Sequence, residues 1–100
     1  MQKKSNLAED ILYSHEELWE KSREIIRDTI NPRSYQTWFA PINSLDLTDT
    51  TIVLGVPNKF FHEWIDNHYS KILRNALAQI SGSTLSVQYK VLDERPYSAY

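Results

Sequence analysis

The sequence contains no cysteine and few of the residues that interrupt regular structure. Of its 100 residues, only two are glycine and four are proline. The absence of cysteine excludes a disulfide framework, a thiolate zinc site and a cysteine nucleophile. The low glycine and proline content argues against a low-complexity or loop-dominated chain. We therefore expect a compact domain, and the absence of cysteine fits a reducing cytoplasm.

Long apolar runs and an excess of positive charge are also missing. No run approaches the roughly 18 apolar residues that mark a membrane-spanning helix, and no signal-peptide pattern follows Met1. We therefore expect neither a membrane anchor nor secretion by that route. Eleven basic and thirteen acidic residues give a net charge of -2, so no general attraction to phosphate backbones is expected.

Hydrophobic periodicity and turn signals predict one domain over residues 14–92, after a flexible extension at 1–13 and before a linker or tail at 93–100. The Ser14 and Glu17 capping box predicts where the first helix begins. The predicted elements are a helix from His15, a short helix at 32–39, strands at 42–47 and 51–56, a long helix at 59–81 and a strand at 84–91. This ααββαβ order predicts an α+β fold with a three-stranded sheet and helices packed on one face.

Residue faces follow from the same periodicities. In the first strand, alternation predicts Leu45 and Leu47 on one face. In the long helix, steps of about 100° predict an apolar core stripe, which consists of Ile65, Tyr69, Ile72, Leu73, Ala76 and Ile80. Phe60 falls nearly opposite this stripe, and Trp64, one turn later, lies beside Phe60. Two large aromatic side chains that point away from a core indicate a binding surface.

The residues show no constellation that carries catalysis. The only histidines are His15, His62 and His68. His62 and His68 are turned about 240° apart on a helix and cannot chelate one ion, so we expect no metal site. There is no glycine-rich phosphate loop and no serine in a nucleophile context. We therefore expect no enzyme activity and no cofactor in this domain.

Several separated motifs resemble one family, the N-terminal domains of the DnaA bacterial chromosomal replication initiators. The motifs are Leu18-Trp19, Tyr35, Thr37-Trp38-Phe39-Ala40-Pro41, Val56-Pro57-Asn58-Lys59-Phe60, Trp64 and Tyr69. They occur in the same order as in that family, over roughly residues 17–91. The resemblance implies a KH-like fold and a protein interaction module. It also implies weak self-association, recruitment of the replicative DNA helicase DnaB and binding of initiation regulators.

The resemblance also implies roles for single residues. Trp19 matches the self-association tryptophan, although its position at the rim of the first helix's apolar stripe leaves a core-edge role equally open. Phe60 matches an exposed aromatic residue that contacts the helicase. Trp64 belongs to the same motif, but packing against Trp38 and Pro41 is the favoured interpretation. Ser34 stands where other members carry an acidic residue, which places an electrostatic share of the helicase contact in doubt.

A KH-like module for single-stranded nucleic acid is the alternative function. Such folds clamp a strand through a Gly-x-x-Gly loop backed by basic residues. The loop at 29–33 has no such glycines. However, Lys59, Lys71 and Arg74 share the outer side of the predicted long helix, so the sequence predicts at most weak binding of single-stranded DNA.

Overall fold

The computed structural model describes residues 13–92. Its elements are α1 (His15–Thr29), α2 (Pro32–Ser34), a π-helical turn (Tyr35–Phe39), β1 (Asn43–Leu47), β2 (Thr51–Val56), α3 (Lys59–His68), α4 (Ser70–Ser81) and β3 (Ser86–Val91). The predicted α+β class is confirmed. Apart from Tyr13, the predicted extension at 1–13 and the predicted tail at 93–100 lie outside the described residues. Within 13–92, no helix is long and apolar enough to cross a membrane.

The sheet has the strand order β1-β2-β3, with β1 antiparallel and β3 parallel to the central strand β2. The parallel pairing requires a crossover, which α3 and α4 supply. Ile52, Leu54 and Val56 point from β2 toward the helices and are fully buried. The helices therefore cover one face of the sheet, and the other face, here called the open face, carries the alternate residues.

Helix α1 begins with the predicted capping box. The Ser14 hydroxyl accepts a hydrogen bond from the Glu17 N–H, and the Glu17 carboxylate accepts one from the Ser14 N–H, both at 3.1 Å. The helix packs against α4 and β1 through Leu18, Ser22 and Ile26, which are buried. The small side chain of Ser22 permits close approach of the neighbouring helix.

The predicted long helix at 59–81 is in fact two helices. Tyr69 separates α3 from α4 with φ -130° and ψ 9°, which is outside the helical range. Its ring packs edge-on against Phe39, with 5.4 Å between ring centroids. This change of direction lets α3 contact β2 and β3 while α4 packs on α1. No proline or glycine lies between 59 and 81, so no residue in this range signals the break.

The prediction that Leu45 and Leu47 share a face is wrong. A β-bulge interrupts the pairing of β1 with β2 between Ser44 and Asp46, so Leu47 faces the helices and Leu45 turns to the open face. There it lies over Gly55, where a Cβ atom would be 3.2 Å from Leu45 Cδ1 and 2.9 Å from Leu92 Cδ1. Leu45 and Leu92, 37% and 49% exposed, thus form an apolar patch on the open face.

Candidate functional site

Phe60 lies in the first turn of α3 and projects into solvent. The Asn58 side chain caps this turn, because its Oδ1 accepts a hydrogen bond from the Phe60 N–H at 2.9 Å. Phe60 is 58% exposed, the largest value among the big hydrophobic side chains of the described residues. The Lys59 ammonium lies 5.9 Å from the centre of its ring. The predicted outward position of Phe60 is confirmed.

Trp64 extends this exposed surface by one helical turn. Its indole stacks on that of Trp38, with 4.9 Å between ring centroids and 11° between ring planes, which confirms the predicted packing on Trp38. The His68 ring lies 4.0 Å from Trp64, another turn along α3. Trp64 remains 42% exposed. We call the surface formed by Trp38, Phe60, Trp64 and His68 the aromatic face.

Trp38 anchors the aromatic face to the core. It follows α2 in the π-helical turn, where the Ala40 N–H donates to the Tyr35 carbonyl oxygen at 3.0 Å. Trp38 is half-buried and also meets Phe61 edge-on, with 5.1 Å between ring centroids. The stack is therefore fixed from two elements, and little side-chain freedom remains for Trp64 to lose on binding.

Trp19 does not lie at a rim of α1, as the helical phase predicted, but in the core, with 3% exposure. Its Nε1–H donates to the carbonyl oxygen of Ile42 at 3.0 Å. Arg23 reinforces this closure, because its guanidinium donates to the carbonyl oxygen of Ala40 at 3.2 Å. The segment leading into β1 thus covers the ring. A helical wheel contains no information about a segment more than twenty residues away in the chain.

Ser34 lies at the end of α2, where its N–H donates to the side-chain oxygen of Asn31 at 2.8 Å. The structure thus brings Phe60 and Trp64 together on α3, with Trp38 beside them. Trp19 is separate from this group because it is buried under the segment that enters β1. The neighbour of Ser34 is the exposed Arg33, so α2 presents a basic group and no carboxylate.

The three histidines lie on two helices, His15 on α1 and His62 and His68 on α3. The His15 Nδ1 lies 2.7 Å from the Ser44 hydroxyl and ties α1 to β1. The His62 ring stacks on Tyr89, with 4.4 Å between ring centroids, and its Nε2 lies 3.8 Å from the Asp66 carboxylate. Among residues 13–92, no three potential metal ligands lie together.

The surface around Tyr89 is a feature that the sequence did not predict. Tyr89 lies on β3, above the junction of α3 and α4, and lines a groove of about 360 Å³. Burial, with a smaller contribution from the Asp66 carboxylate, raises the pKa of the Tyr89 hydroxyl, and the Arg74 guanidinium opposes this shift. No sequence signal places these three side chains together, because their meeting depends on the helix break at Tyr69.

The sequence of this chain is similar to that of a known protein family. The family described as DnaA N-terminal domain matches residues 16–79. The relatives include three proteins named chromosomal replication initiator protein DnaA. The one from Flavobacterium psychrophilum is 40% identical over 82 residues, which are 82% of this chain and 17% of that protein. The one from Bacteroides fragilis is 36% identical over 86 residues, 86% of this chain and 18% of that protein. The one from Thermodesulfovibrio yellowstonii is 35% identical over 72 residues, 72% of this chain and 16% of that protein. The chain thus spans less than a fifth of the length of these relatives.

Proposed function

Because this chain belongs to the family of DnaA N-terminal domains, we propose that it is a non-catalytic docking module of a chromosomal replication initiator. In this role it recruits the replicative helicase DnaB and initiation regulators to the origin, in the cytoplasm. The observation that supports the proposal is the aromatic face, and above all the 58% exposure of Phe60. Phe60 is not part of the hydrophobic core, so core packing does not explain a phenylalanine at this position.

The aromatic face has the properties of a protein-binding hot spot. Such sites are enriched in tryptophan and other large rings, and rigid rings lose little entropy on binding. Trp64 is already held by its stack on Trp38. Exposed Lys59 and Glu63 lie on the same helix and suit a polar rim. A partner that covers Phe60 and the exposed part of Trp64 therefore buries apolar area without having to order it first.

Substitution of Phe60 tests this proposal. We expect Phe60→Ala to weaken binding of the cognate helicase by about 2 kcal/mol, as for a central interface anchor. The domain should stay folded because the ring contributes little to the core. Fluorescence anisotropy with labelled domain measures the affinity, and circular dichroism checks the fold. Leu45→Ala is the matched control, since it removes an exposed apolar side chain from the open face. Equal affinities for the two variants would contradict the proposal.

Ser34, which stands where the resemblance implies an acidic residue, bears on the kind of contact we propose. With Arg33 as its charged neighbour, α2 has no carboxylate to offer a basic partner. Recruitment of the helicase through this domain therefore depends mainly on burial of the aromatic rings of Phe60 and Trp64. Regulators that bind the aromatic face would compete with the helicase for Phe60.

Weak self-association, with Trp19 at its centre, is the second part of the proposed role. The buried ring supports it indirectly, by fixing the segment before β1 against α1. The exposed side of α1 carries Glu16 and Glu24, which have no cationic partner among residues 13–92, as well as Glu20, which pairs with Arg23. Repulsion between the unpaired glutamates of two chains disfavours a tight isolated dimer. Many initiators gathered on one origin raise the effective concentration of these domains, so weak contacts suffice.

Binding of single-stranded DNA is a second candidate, favoured by the exposed rings of Trp64 and His68, which lie against each other, and by Lys59 beside Phe60 on the same helix. Stacked rings and cations form sequence-tolerant platforms for bases. A titration with oligo(dT), followed by tryptophan fluorescence, tests it. Quenching that falls steeply with added salt would support this function, and no quenching at low salt would exclude it.

A further inference from the structure

Strand β3 has one backbone edge that pairs with β2 and one that does not. Within the described residues the strand order places β3 at the edge of the sheet. The N–H groups of Ser86 and Leu92 donate inward, to Thr50 and Val56, at 2.8 Å. In a parallel ladder the pairing alternates along the strand. Val87, Tyr89 and Val91 therefore direct their N–H and C=O groups to the outer edge.

A groove lies beside this edge, on the side of the sheet that carries the helices. Its volume is about 360 Å³, and it is lined by Leu85, Val87 and Tyr89 from β3 and its approach, and by Leu73, Asp66 and Arg74 from the helices. A strand that paired with the free edge of β3 would direct every second side chain into this groove. Space of this size accommodates two or three side chains.

The groove is lined by one acidic side chain, Asp66, and one basic side chain, Arg74. Asp66 lies 3.8 Å from the imidazole of His62. Arg74 has no acidic partner among residues 13–92, whereas the guanidinium of Arg23 pairs with Glu20. An incoming carboxylate thus finds a guanidinium without a partner, and the same groove offers Leu73, Leu85 and Val87 to apolar side chains.

We propose that the free edge of β3 and the adjoining groove bind an extended protein segment that adds a fourth strand to the sheet and places an acidic side chain against Arg74. Backbone pairing supplies the affinity, and the groove supplies the preference for alternating apolar and acidic side chains. This site is separate from the aromatic face and does not depend on the function proposed for it, so one chain holds two protein segments at once.

A designed peptide tests this proposal by nuclear magnetic resonance. The probe is acetylated and amidated Lys-Thr-Val-Thr-Glu-Thr-Val-Thr-Lys, whose two valines and glutamate share one face of a strand. Titrated into the ¹⁵N-labelled chain, it should shift the amides of Val87, Tyr89 and Val91 to saturation. N-methylation of one alternate set of peptide residues should abolish binding, while methylation of the other set should preserve it, because only one set faces β3.

Charge reversal separates this site from unspecific contact. Arg74→Glu should weaken binding of the probe about tenfold and Arg74→Gln by less, while Lys71→Glu, on the same helix but outside the groove, should leave it within about twofold. The peptide with lysine in place of glutamate should prefer Arg74→Glu. The proposal is overturned if no saturable shifts appear at millimolar peptide, if the shifts map to the aromatic face, or if Arg74→Glu and Lys71→Glu behave alike.

Discussion

At the scale of single residues, the two tryptophans of α1 and α3 have opposite roles. Trp19 is 3% exposed and hydrogen-bonded to Ile42, whereas Trp64 is 42% exposed and stacked at the surface. Truncation of a buried tryptophan removes transfer free energy and leaves a cavity. We expect Trp19→Ala to lower the free energy of unfolding by about 3–5 kcal/mol, measured by urea denaturation.

Trp64→Ala is the matched control for that substitution. It should lower the free energy of unfolding clearly less, because 42% of the Trp64 surface already faces water. Equal stability of Trp19→Ala and the wild type would show that the indole is not part of the core. If Trp19→Ala self-associates less than the wild type, its lower stability must be taken into account, because partial unfolding would also reduce self-association. Trp19→Phe keeps a buried ring but loses the N–H donor, so it separates the contribution of ring burial from that of the hydrogen bond to Ile42.

Tyr89 makes stability depend on pH in alkaline solution. Burial, and secondarily Asp66, raises the pKa of its hydroxyl above the ordinary value of about 10, while Arg74 opposes the shift. The neutral phenol is therefore favoured by folding. Its contribution is complete below the unfolded pKa and is lost as pH rises toward the folded pKa.

We therefore expect the free energy of unfolding of the wild type to fall more steeply above about pH 10 than that of Tyr89→Phe. Urea titrations at a series of alkaline pH values measure both slopes. The other five tyrosines are common to the two proteins and provide the internal control. Parallel slopes would show that the hydroxyl is as accessible to water in the folded chain as in the unfolded one.

At the scale of secondary structure, the cap of α1 is the most clearly encoded feature. Ser14 and Glu17 form both hydrogen bonds of the capping box. Ser14→Ala should lower the free energy of unfolding by about 1 kcal/mol, measured by urea denaturation. Ser14→Asn, which retains a capping acceptor, should restore most of it. A Ser14→Ala variant as stable as wild type would indicate that solvent satisfies the helix end equally well.

Helices and strands that depend on residues close together in the sequence could be predicted. Irregularities that depend on contacts between distant segments, such as the helix break and the β-bulge, could not. Sequence periodicity predicted the strands β2 and β3, and helical phase predicted the outward position of Phe60. No proline or glycine marks the helix break at Tyr69. The break occurs where the Tyr69 ring packs against Phe39. The bulge that turns Leu45 outward depends likewise on pairing with β2.

The candidate site divides along the same line. Phe60 and Trp64 were predictable, because both lie on one helix and their direction follows from its phase. The burial of Trp19 was not, because the carbonyl oxygen that receives its N–H belongs to Ile42, before another element. The groove beside Tyr89 combines two helices and a strand, and only the folded chain shows it.

At the scale of the whole molecule, a single small core supports separate surfaces. The aromatic face lies on α3 and the π-helical turn, the groove lies along β3, and the open face of the sheet carries the apolar patch of Leu45 and Leu92. A chain of 100 residues cannot bury a second core. Its remaining apolar side chains are therefore left at the surface, where they are available to partners.

The most direct test of the central claim maps the surface that the cognate helicase covers on the ¹⁵N-labelled chain by nuclear magnetic resonance. The account predicts loss of signal or shifts at Phe60, Trp64 and His68, including the indole N–H signals of Trp38 and Trp64, and no change in these signals for Phe60→Ala at the same concentrations. Changes confined to the open face of the sheet, with the aromatic face unaffected, would contradict it.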